Sequence, residues 1–194
     1  MNEFQNKLII SDKPYKNGLF PKIPNYRKSG TPFILTGGIG DEIIINEGTT
    51  TMDISKGKYT RIIEISTNLY VKEMRFDVPG KESTFPFNVY TKVGIQVVNP
   101  MVFYKNCNID VEEYFYNLIF LDVKKVTRKY SILDFEGMEE ELKKELLVYN
   151  VEEREIGVRY QVSVVTADVG EKAKEYLAKR EKQRCKRENI IRSI

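Results

Sequence analysis

A regular alternation of apolar and polar residues runs from Phe85 to Val97 and limits the folds that this chain can adopt. Because successive side chains of a β-strand point to opposite faces of its sheet, this period predicts a half-buried antiparallel strand. The predicted inner face carries Phe85, Phe87, Val89, Val93, Ile95 and Val97, and the outer face carries Asn88, Lys92 and Gln96. Pro100 is expected to close the strand.

Shorter strands are predicted on either side of this one. They are rich in β-branched and aromatic residues, which suit a pleated surface, and they cover Glu42–Asn46, Tyr59–Ile65, Leu69–Phe76 and Ile156–Val164. Within Leu69–Phe76 the apolar residues shift by one position, so we expect a β-bulge or a bend there. Residues 1–41 contain many glycines and prolines, which favour loops and short extended pieces over helix.

Two amphipathic helices are predicted between the alternating strand and the last strand. Asp110 followed by Glu113 is typical of a helix start, with Asp110 as the N-cap. Apolar residues then recur three and four positions apart at Val111, Phe115, Leu118, Ile119, Val123, Val126 and Tyr130. The second helix is expected from Asp134 to about Tyr149, with Glu139–Lys143 and Glu140–Lys144 as outward pairs.

Charge is distributed unevenly along the chain. Positions 171–194 hold nine basic and four acidic residues, a net charge of +5, whereas the other positions together carry −2. Residues 168–194 are predicted to form one long helix, whose apolar stripe consists of Val169, Ala173, Tyr176 and Leu177. A helix with so little apolar surface is not stable alone. We therefore expect it to meet a partner or to start a coiled coil.

Three stretches resemble the SPFH (band 7) domain of the stomatin, prohibitin and flotillin superfamily. The sequence FPFNVYTKVGIQVVNP at 85–100 is similar to that family's long strand, which ends in an acidic or amide residue followed by proline. Tyr114–Phe135, through VTRKYSILDF, resembles its helix and turn. The sequence GVRYQVSVVTADVGEKAKEYLAKREKQRCK at 157–186 resembles its last strand and coiled-coil helix, so the similarity covers roughly residues 42–194.

The resemblance implies an α+β fold of the SPFH type, with a mixed, mainly antiparallel sheet packed by two helices and followed by a long charged C-terminal helix. Composition predicts a loop-rich N-terminal segment at 1–41, and the resemblance implies an SPFH-like α/β domain at 42–167 and a basic helix at 168–194 that starts a coiled coil. Members of this superfamily organise membrane patches or enclose membrane proteases. The implied function is a non-catalytic, oligomerising scaffold that organises partner proteins.

Residues suited to catalysis or metal binding are scarce in this chain. It has no histidine and two cysteines, Cys107 and Cys185, which excludes histidine-based catalysis and Cys/His zinc sites. Gly37–Asp41 lacks the spacing of a phosphate-binding loop and is interpreted as a turn. The acidic pairs near Asp134 and Glu139 suit the dipole of a helix start. We therefore expect no enzymatic activity, cofactor, metal or small-molecule substrate.

Two basic surfaces remain as candidate binding sites. The predicted assembly or partner surface consists of Tyr176, Leu177, Arg180, Arg184, Lys186 and Arg187 on the last helix. The candidate anion-binding patch consists of Lys124, Lys125, Arg128 and Lys129, which i,i+4 spacing brings together at a helix end. The expected partners are copies of this chain and other proteins. A soluble binder of nucleic acid or anionic surfaces is the alternative, although few aromatic residues are expected on an exposed face where bases would stack.

The sequence also bears on location. Cys185 lies in a charged run where its thiol is expected to be exposed, which favours a reducing, cytoplasmic environment. No stretch approaches the roughly 20 apolar residues of a transmembrane helix, and the Met-Asn start is not a myristoylation signal. Peripheral contact with the cytoplasmic face of a membrane stays open, because members of the resembled family are fixed to membranes.

Overall fold

The computed structural model describes residues 5–16, 31–38, 41–46, 48–82 and 84–192, with side chains described in these ranges except at residues 5, 6 and 189–192. The chain divides into two compact units. The first takes its described residues from Met1–Tyr70, Gly94–Tyr114 and Asn150–Tyr160. The second takes them from Val71–Val93, Phe115–Tyr149 and Gln161–Ile194. The limits expected at residues 41 and 42 and at residues 167 and 168 stay predictions.

The described elements make this an α+β protein. The helices are α1 (Gln5–Leu8), α2 (Thr51–Lys56), α3 (Pro100–Lys105), α4 (Val111–Thr127), α5 (Phe135–Leu146) and α6 (Glu171–Arg192), and a 3-10 turn covers Ile132–Asp134. The strands are β1 (Ile9–Pro14), β2 (Phe33–Thr36), β3 (Glu42–Ile45), β4 (Arg61–Ile65), β5 (Tyr70–Pro79), β6 (Pro86–Val97), β7 (Asn150–Glu153) and β8 (Val158–Val169).

Strands β1 to β4 form an antiparallel sheet with the order β1–β4–β2–β3. Its core combines Leu35 of β2 and Ile45 of β3 with Ile54 of α2 and Tyr59, all buried in one apolar cluster. Two of its strands lie within residues 1–41, where the composition predicted loops and short extended pieces. These strands are short, and pairing with β3 and β4, from later in the chain, satisfies their backbone groups.

A second antiparallel sheet has the strand order β5–β6–β8–β7. The alternation predicted for β6 is confirmed, because Phe87, Val89, Val93, Ile95 and Val97 are all buried, with Thr91 on the same face. The single sheet expected from the sequence is wrong, since the strands form two sheets of four. Periodicity shows which face of a strand is buried, but it does not show which strands pair.

More buried and more exposed residues alternate without a shift along strand β5. The bulge expected in Leu69–Phe76 is therefore wrong. Burial alternates regularly towards its end, where Met74, Phe76 and Val78 are buried and the residues between them are exposed. Leu69 is 48% exposed and Val71 is 58% exposed. The apparent shift arose because these two apolar surface residues look like core residues in the sequence.

Helix α4 begins as predicted, because the Asp110 Oδ1 atom accepts a hydrogen bond from the Glu113 backbone amide at 3.1 Å. Of its predicted inner face, five residues are buried: Val111, Phe115, Ile119, Val123 and Val126. Helix α5 follows the 3-10 turn and ends at Leu146, three residues before the predicted end. Its Met138, Leu142 and Leu146 are buried, four residues apart.

Helix α3 was not predicted from the sequence. The Asn99 Oδ1 atom accepts a hydrogen bond from the Val102 amide at 3.2 Å, and Pro100 occupies the first helical turn, where no amide donor is needed. Asn99-Pro100 therefore ends strand β6 and also starts a helix. Strand β7, also unpredicted, has four largely polar residues and no apolar alternation of its own.

Helix α6 begins at Glu171, three residues after the predicted start at Asp168. Asp168 and Val169 are the last residues of β8, which extends five residues beyond the predicted end at Val164. The extension was missed because the buried face changes, from Val158, Tyr160 and Val162 to Val165 and Val169. Residues 193 and 194 of the predicted helix lie outside the described residues.

Gly157 provides a test of the turn that precedes β8. Its φ is +69°, and a Cβ atom there would lie 2.4 Å from the Asn99 carbonyl oxygen and 2.8 Å from the Phe103 amide nitrogen. We expect Gly157→Ala to lower the free energy of unfolding by about 2 kcal/mol or more, because left-handed backbone is costly for alanine and the clash adds to that cost. Urea unfolding followed by circular dichroism measures this.

Gly38→Ala is the matched control for this substitution. A Cβ atom at Gly38 meets no atom of the described residues within 4 Å, and the φ of Gly38 lies outside the left-handed region. Its unfolding midpoint should stay close to that of the wild type. Equal destabilisation by the two substitutions would contradict the turn geometry at Gly157.

Candidate partner-binding surface

The first two turns of α6 are packed within the second unit. Ala173 is 1% exposed, and the Tyr176 ring packs on Phe85 with a centroid distance of 5.3 Å and an interplanar angle of 34°. The Lys174 ammonium lies 2.7 Å from the Asp168 carboxylate, and this hydrogen bond holds the pKa of Asp168 below its usual value. The start of α6 is therefore held by one buried methyl group, one ring contact and one ion pair.

The following turns of α6 are exposed. We call residues 178–188 the basic arm, because every side chain in it is exposed and it carries six basic and two acidic residues, a net charge of +4. Arg184 lies 2.8 Å from Glu181 and 3.6 Å from Glu188 within the same helix. Its other basic residues are Lys179, Arg180, Lys182, Lys186 and Arg187, which have no ion pair with any described residue. The arm thus presents a concentrated positive charge to solvent.

A groove of about 810 Å³ runs beside the basic arm. Leu133 and Leu177 supply its apolar end, and Arg180, Arg184 and Arg187 supply most of its charge. Leu133 is 51% exposed although it is a large apolar residue. A smaller groove of about 360 Å³ continues past Phe85 and Tyr176. An apolar end beside a row of arginines suits a partner that carries both acidic and apolar side chains.

Most of the residues predicted for partner binding lie along these grooves. Leu177, Arg180, Arg184 and Arg187 line the larger one, and Tyr176 lines the smaller one. Lys186 is exposed but lines neither groove. Leu133 was missed because a single leucine in a turn between two predicted helices gives no signal. Phe85 was predicted as part of a strand face, and nothing in the sequence pointed to its contact with Tyr176.

The four residues of the predicted anion-binding patch are in different environments. The Lys129 ammonium lies 2.6 Å from the Glu141 carboxylate of α5, so its charge is already compensated. Lys124 is half-buried, and its ammonium lies 5.6 Å from the centroid of the Phe120 ring. Lys125 and Arg128 are exposed. Of the predicted patch, only Lys125 and Arg128 therefore present uncompensated charge among the described residues.

Glu141 links the end of α4 to α5 through two hydrogen bonds. It accepts from the Lys129 ammonium and from the Tyr130 hydroxyl. These two bonds hold the pKa of the Glu141 carboxyl below its ordinary value, and they raise the pKa values of Lys129 and Tyr130. The network fixes the geometry of the turn from which Leu133 projects.

Among the acidic residues considered for catalysis, Glu139 has structural partners. The Glu139 carboxylate accepts a hydrogen bond from the Ala167 amide at 3.2 Å and lies 3.0 Å from the Lys143 ammonium, as predicted for that i,i+4 pair. Among the described residues, no ion pair joins Glu140 to Lys144. Within the same ranges, no group of three or more cysteine and acidic side chains is arranged to hold a metal ion.

No protein-family model matches this chain, and a comparison with curated proteins likewise found no match. In the part of the chain that the structure describes, no helix combines the length and apolar character needed to cross a membrane.

The Glu141 network should make stability depend on pH. The pKa of the Glu141 carboxyl is lower in the folded chain than in the unfolded chain. Its contribution to the free energy of unfolding is therefore complete above the unfolded-state pKa and is lost as the pH falls through the folded-state pKa. We expect Glu141→Gln to be less stable than the wild type at pH 7, and the difference to shrink below about pH 4. Thermal unfolding across this pH range measures it. Glu175→Gln, at an exposed glutamate outside the network, is the control and should show little difference at any pH, whereas a constant Glu141 effect would contradict the network.

The contact between Tyr176 and Phe85 should hold the start of α6. We expect Tyr176→Ala to lower the free energy of unfolding by about 1 kcal/mol, since it removes an aromatic pair and part of an apolar contact. Trypsin should also cleave the basic arm faster, because the helix loses its anchor. Glu175→Ala, an exposed neighbour, is the control and should leave both measurements unchanged. Unaltered cleavage in Tyr176→Ala would show that this contact does not anchor the helix.

Proposed function

We propose that this chain is a non-catalytic assembly module, an oligomerising scaffold that organises partner proteins through helix α6. The supporting observation is the basic arm: eleven successive exposed residues that form helix without burying any side chain. Short isolated helices are marginal in water, and intrahelical ion pairs contribute only about 0.2–0.5 kcal/mol each. A partner that covers the arm supplies the stabilisation that the isolated chain lacks.

The resemblance to the SPFH domain supports the same proposal. The stretches that carry it correspond to β6, to α4 with the following turn, and to β8 with α6. Membership of that superfamily is part of the proposal, as are coiled-coil pairing of α6 with an acidic partner helix, the cytoplasmic location and peripheral contact with a membrane. The α+β class of the described elements is compatible with it.

Light scattering coupled to size-exclusion chromatography tests the assembly function. We expect the full chain to form oligomers at low ionic strength, and a chain that lacks residues 179–194 to be monomeric. Circular dichroism and thermal unfolding of the shortened chain control for loss of the fold, since residues 179–188, whose side chains are described, are all exposed. A full chain that is monomeric at every concentration and salt, alone and with candidate partners, would contradict the proposal.

Binding to anionic surfaces is a second candidate function. Lys125 and Arg128 at the end of α4 favour it, as do the five basic residues of the arm that form no ion pair with any described residue. Phosphate contacts give a steep salt dependence, because binding releases condensed counterions. Sedimentation with vesicles that contain phosphatidylserine, and titration with a single-stranded oligonucleotide, between low and physiological salt would detect it. Absent or salt-independent binding would reject this candidate and leave the assembly function untouched.

A further inference from the structure

Helix α5 carries an exposed stripe opposite its buried face. Glu136, Glu140, Lys144 and Leu147 are all exposed and are spaced by four, four and three residues, so they follow one line along the helix surface. Leu147, at the end of the stripe, is 46% exposed. Neither Glu136 nor Glu140 has an ion pair with any described residue. The stripe is therefore acidic at its start and apolar at its end.

The groove beside α6 has a complementary order of side chains. Leu177, Glu181, Arg184 and Arg187 line it in sequence, spaced by four, three and three residues. With a rise of about 1.5 Å per residue, Leu177 to Arg187 spans about 15 Å, and Glu136 to Leu147 spans about 16.5 Å. In an antiparallel arrangement the two lines therefore match along their whole length.

The antiparallel register brings opposite charges together at each step. Leu147 lies opposite Leu177 and Lys144 opposite Glu181. Glu140 then lies opposite Arg184, and Glu136 opposite Arg187. Each charged residue of the stripe thus faces a residue of opposite charge on the arm, and the two leucines meet beside Leu133. A parallel arrangement would instead place Glu136 at Leu177 and Leu147 at Arg187, which leaves the charges unmatched.

Pairing of two α6 helices with each other does not offer this complementarity. Each basic arm carries a net charge of +4, so two arms side by side repel. Like charges across a contact disfavour it, whereas opposite charges favour encounter and fix the register. The arm thus needs an acidic partner, and the chain itself provides one on α5.

We propose that the basic arm of one copy docks in antiparallel register on the exposed α5 stripe of a second copy. This inference rests on the assembly function proposed above and specifies its contact. The two surfaces are different, so the contact either closes as a reciprocal dimer or continues head to tail into larger assemblies. Because the charged pairs are exposed, the assembly weakens as salt rises.

A charge-swap experiment on the full chain tests the contact. One variant reverses the arm, Arg184→Glu with Arg187→Glu, and the other reverses the stripe, Glu136→Arg with Glu140→Arg. We expect each variant alone to weaken association about tenfold or more, because two attractive pairs become repulsive. An equimolar mixture of the two should restore wild-type association, since each arm then meets a stripe of opposite charge. Sedimentation-equilibrium ultracentrifugation gives the constants.

Matched controls separate this contact from a general charge effect. Lys179→Glu with Lys182→Glu changes the arm's net charge by the same amount at two positions that do not line the groove. Glu145→Arg reverses the charge of one exposed acidic residue of α5 that lies outside the stripe. Both controls should associate nearly as the wild type does. Circular dichroism checks that Arg184→Glu, which removes two intrahelical pairs, leaves the helix content intact.

The possible results distinguish the two proposals. Restoration in the mixture, with both controls close to wild type, supports the docking of the arm on α5. The wild type could associate, and removal of residues 179–194 could abolish association, while the mixture of the two charge-swap variants fails to regain association. In that case the docking of the arm on α5 is wrong and the assembly function stands. If the control substitutions weaken association as much as the charge-swap variants do, the docking of the arm on α5 is also wrong. A wild type that is monomeric alone but assembles with a candidate partner overturns only the contact, and one that is monomeric at every concentration and salt, alone and with candidate partners, overturns both proposals.

Discussion

The short anchor at the start of α6 is the interaction on which the candidate surface depends. Ala173 is buried, Tyr176 packs on Phe85, and Lys174 pairs with Asp168. These contacts occupy only the first two turns of a 22-residue helix. They fix the direction in which the helix leaves strand β8, and so they determine that the basic arm runs past Leu133 with a groove beside it.

The energetics of the helix differ between its two halves. In the first half, burial of apolar surface and an aromatic contact stabilise the helix and also fix its position on the second unit. In the second half, stability comes from the good helix propensity of Lys, Arg, Glu and Gln and from ion pairs of Arg184 with Glu181 and Glu188. Such terms maintain a helix weakly, and they leave the surface of the arm available for a partner.

Charge determines which partners the arm can accept. Two acidic residues near the turn before α5 are already engaged: Glu141 by Lys129 and Tyr130, and Glu139 by Lys143 and the Ala167 amide. The acids on the outer stripe of α5, Glu136 and Glu140, have no ion pair within the described ranges. The same helix thus uses one set of carboxylates to hold the fold together and presents another set to solvent.

The sequence by itself determined the local elements and the charge distribution. The buried face of β6, the Asp110 cap of α4, the spacing of Met138, Leu142 and Leu146, and the accumulation of positive charge after Glu171 all follow from short-range periodicity and composition. Only the tertiary structure decided that the eight described strands form two sheets. It also decided that the Tyr176 ring packs on Phe85, that Leu133 flanks the basic arm, and that Glu141 compensates the charge of Lys129. These contacts join residues far apart in the chain, and the regular pattern around each residue fixes which side is buried but not which distant side chain covers it.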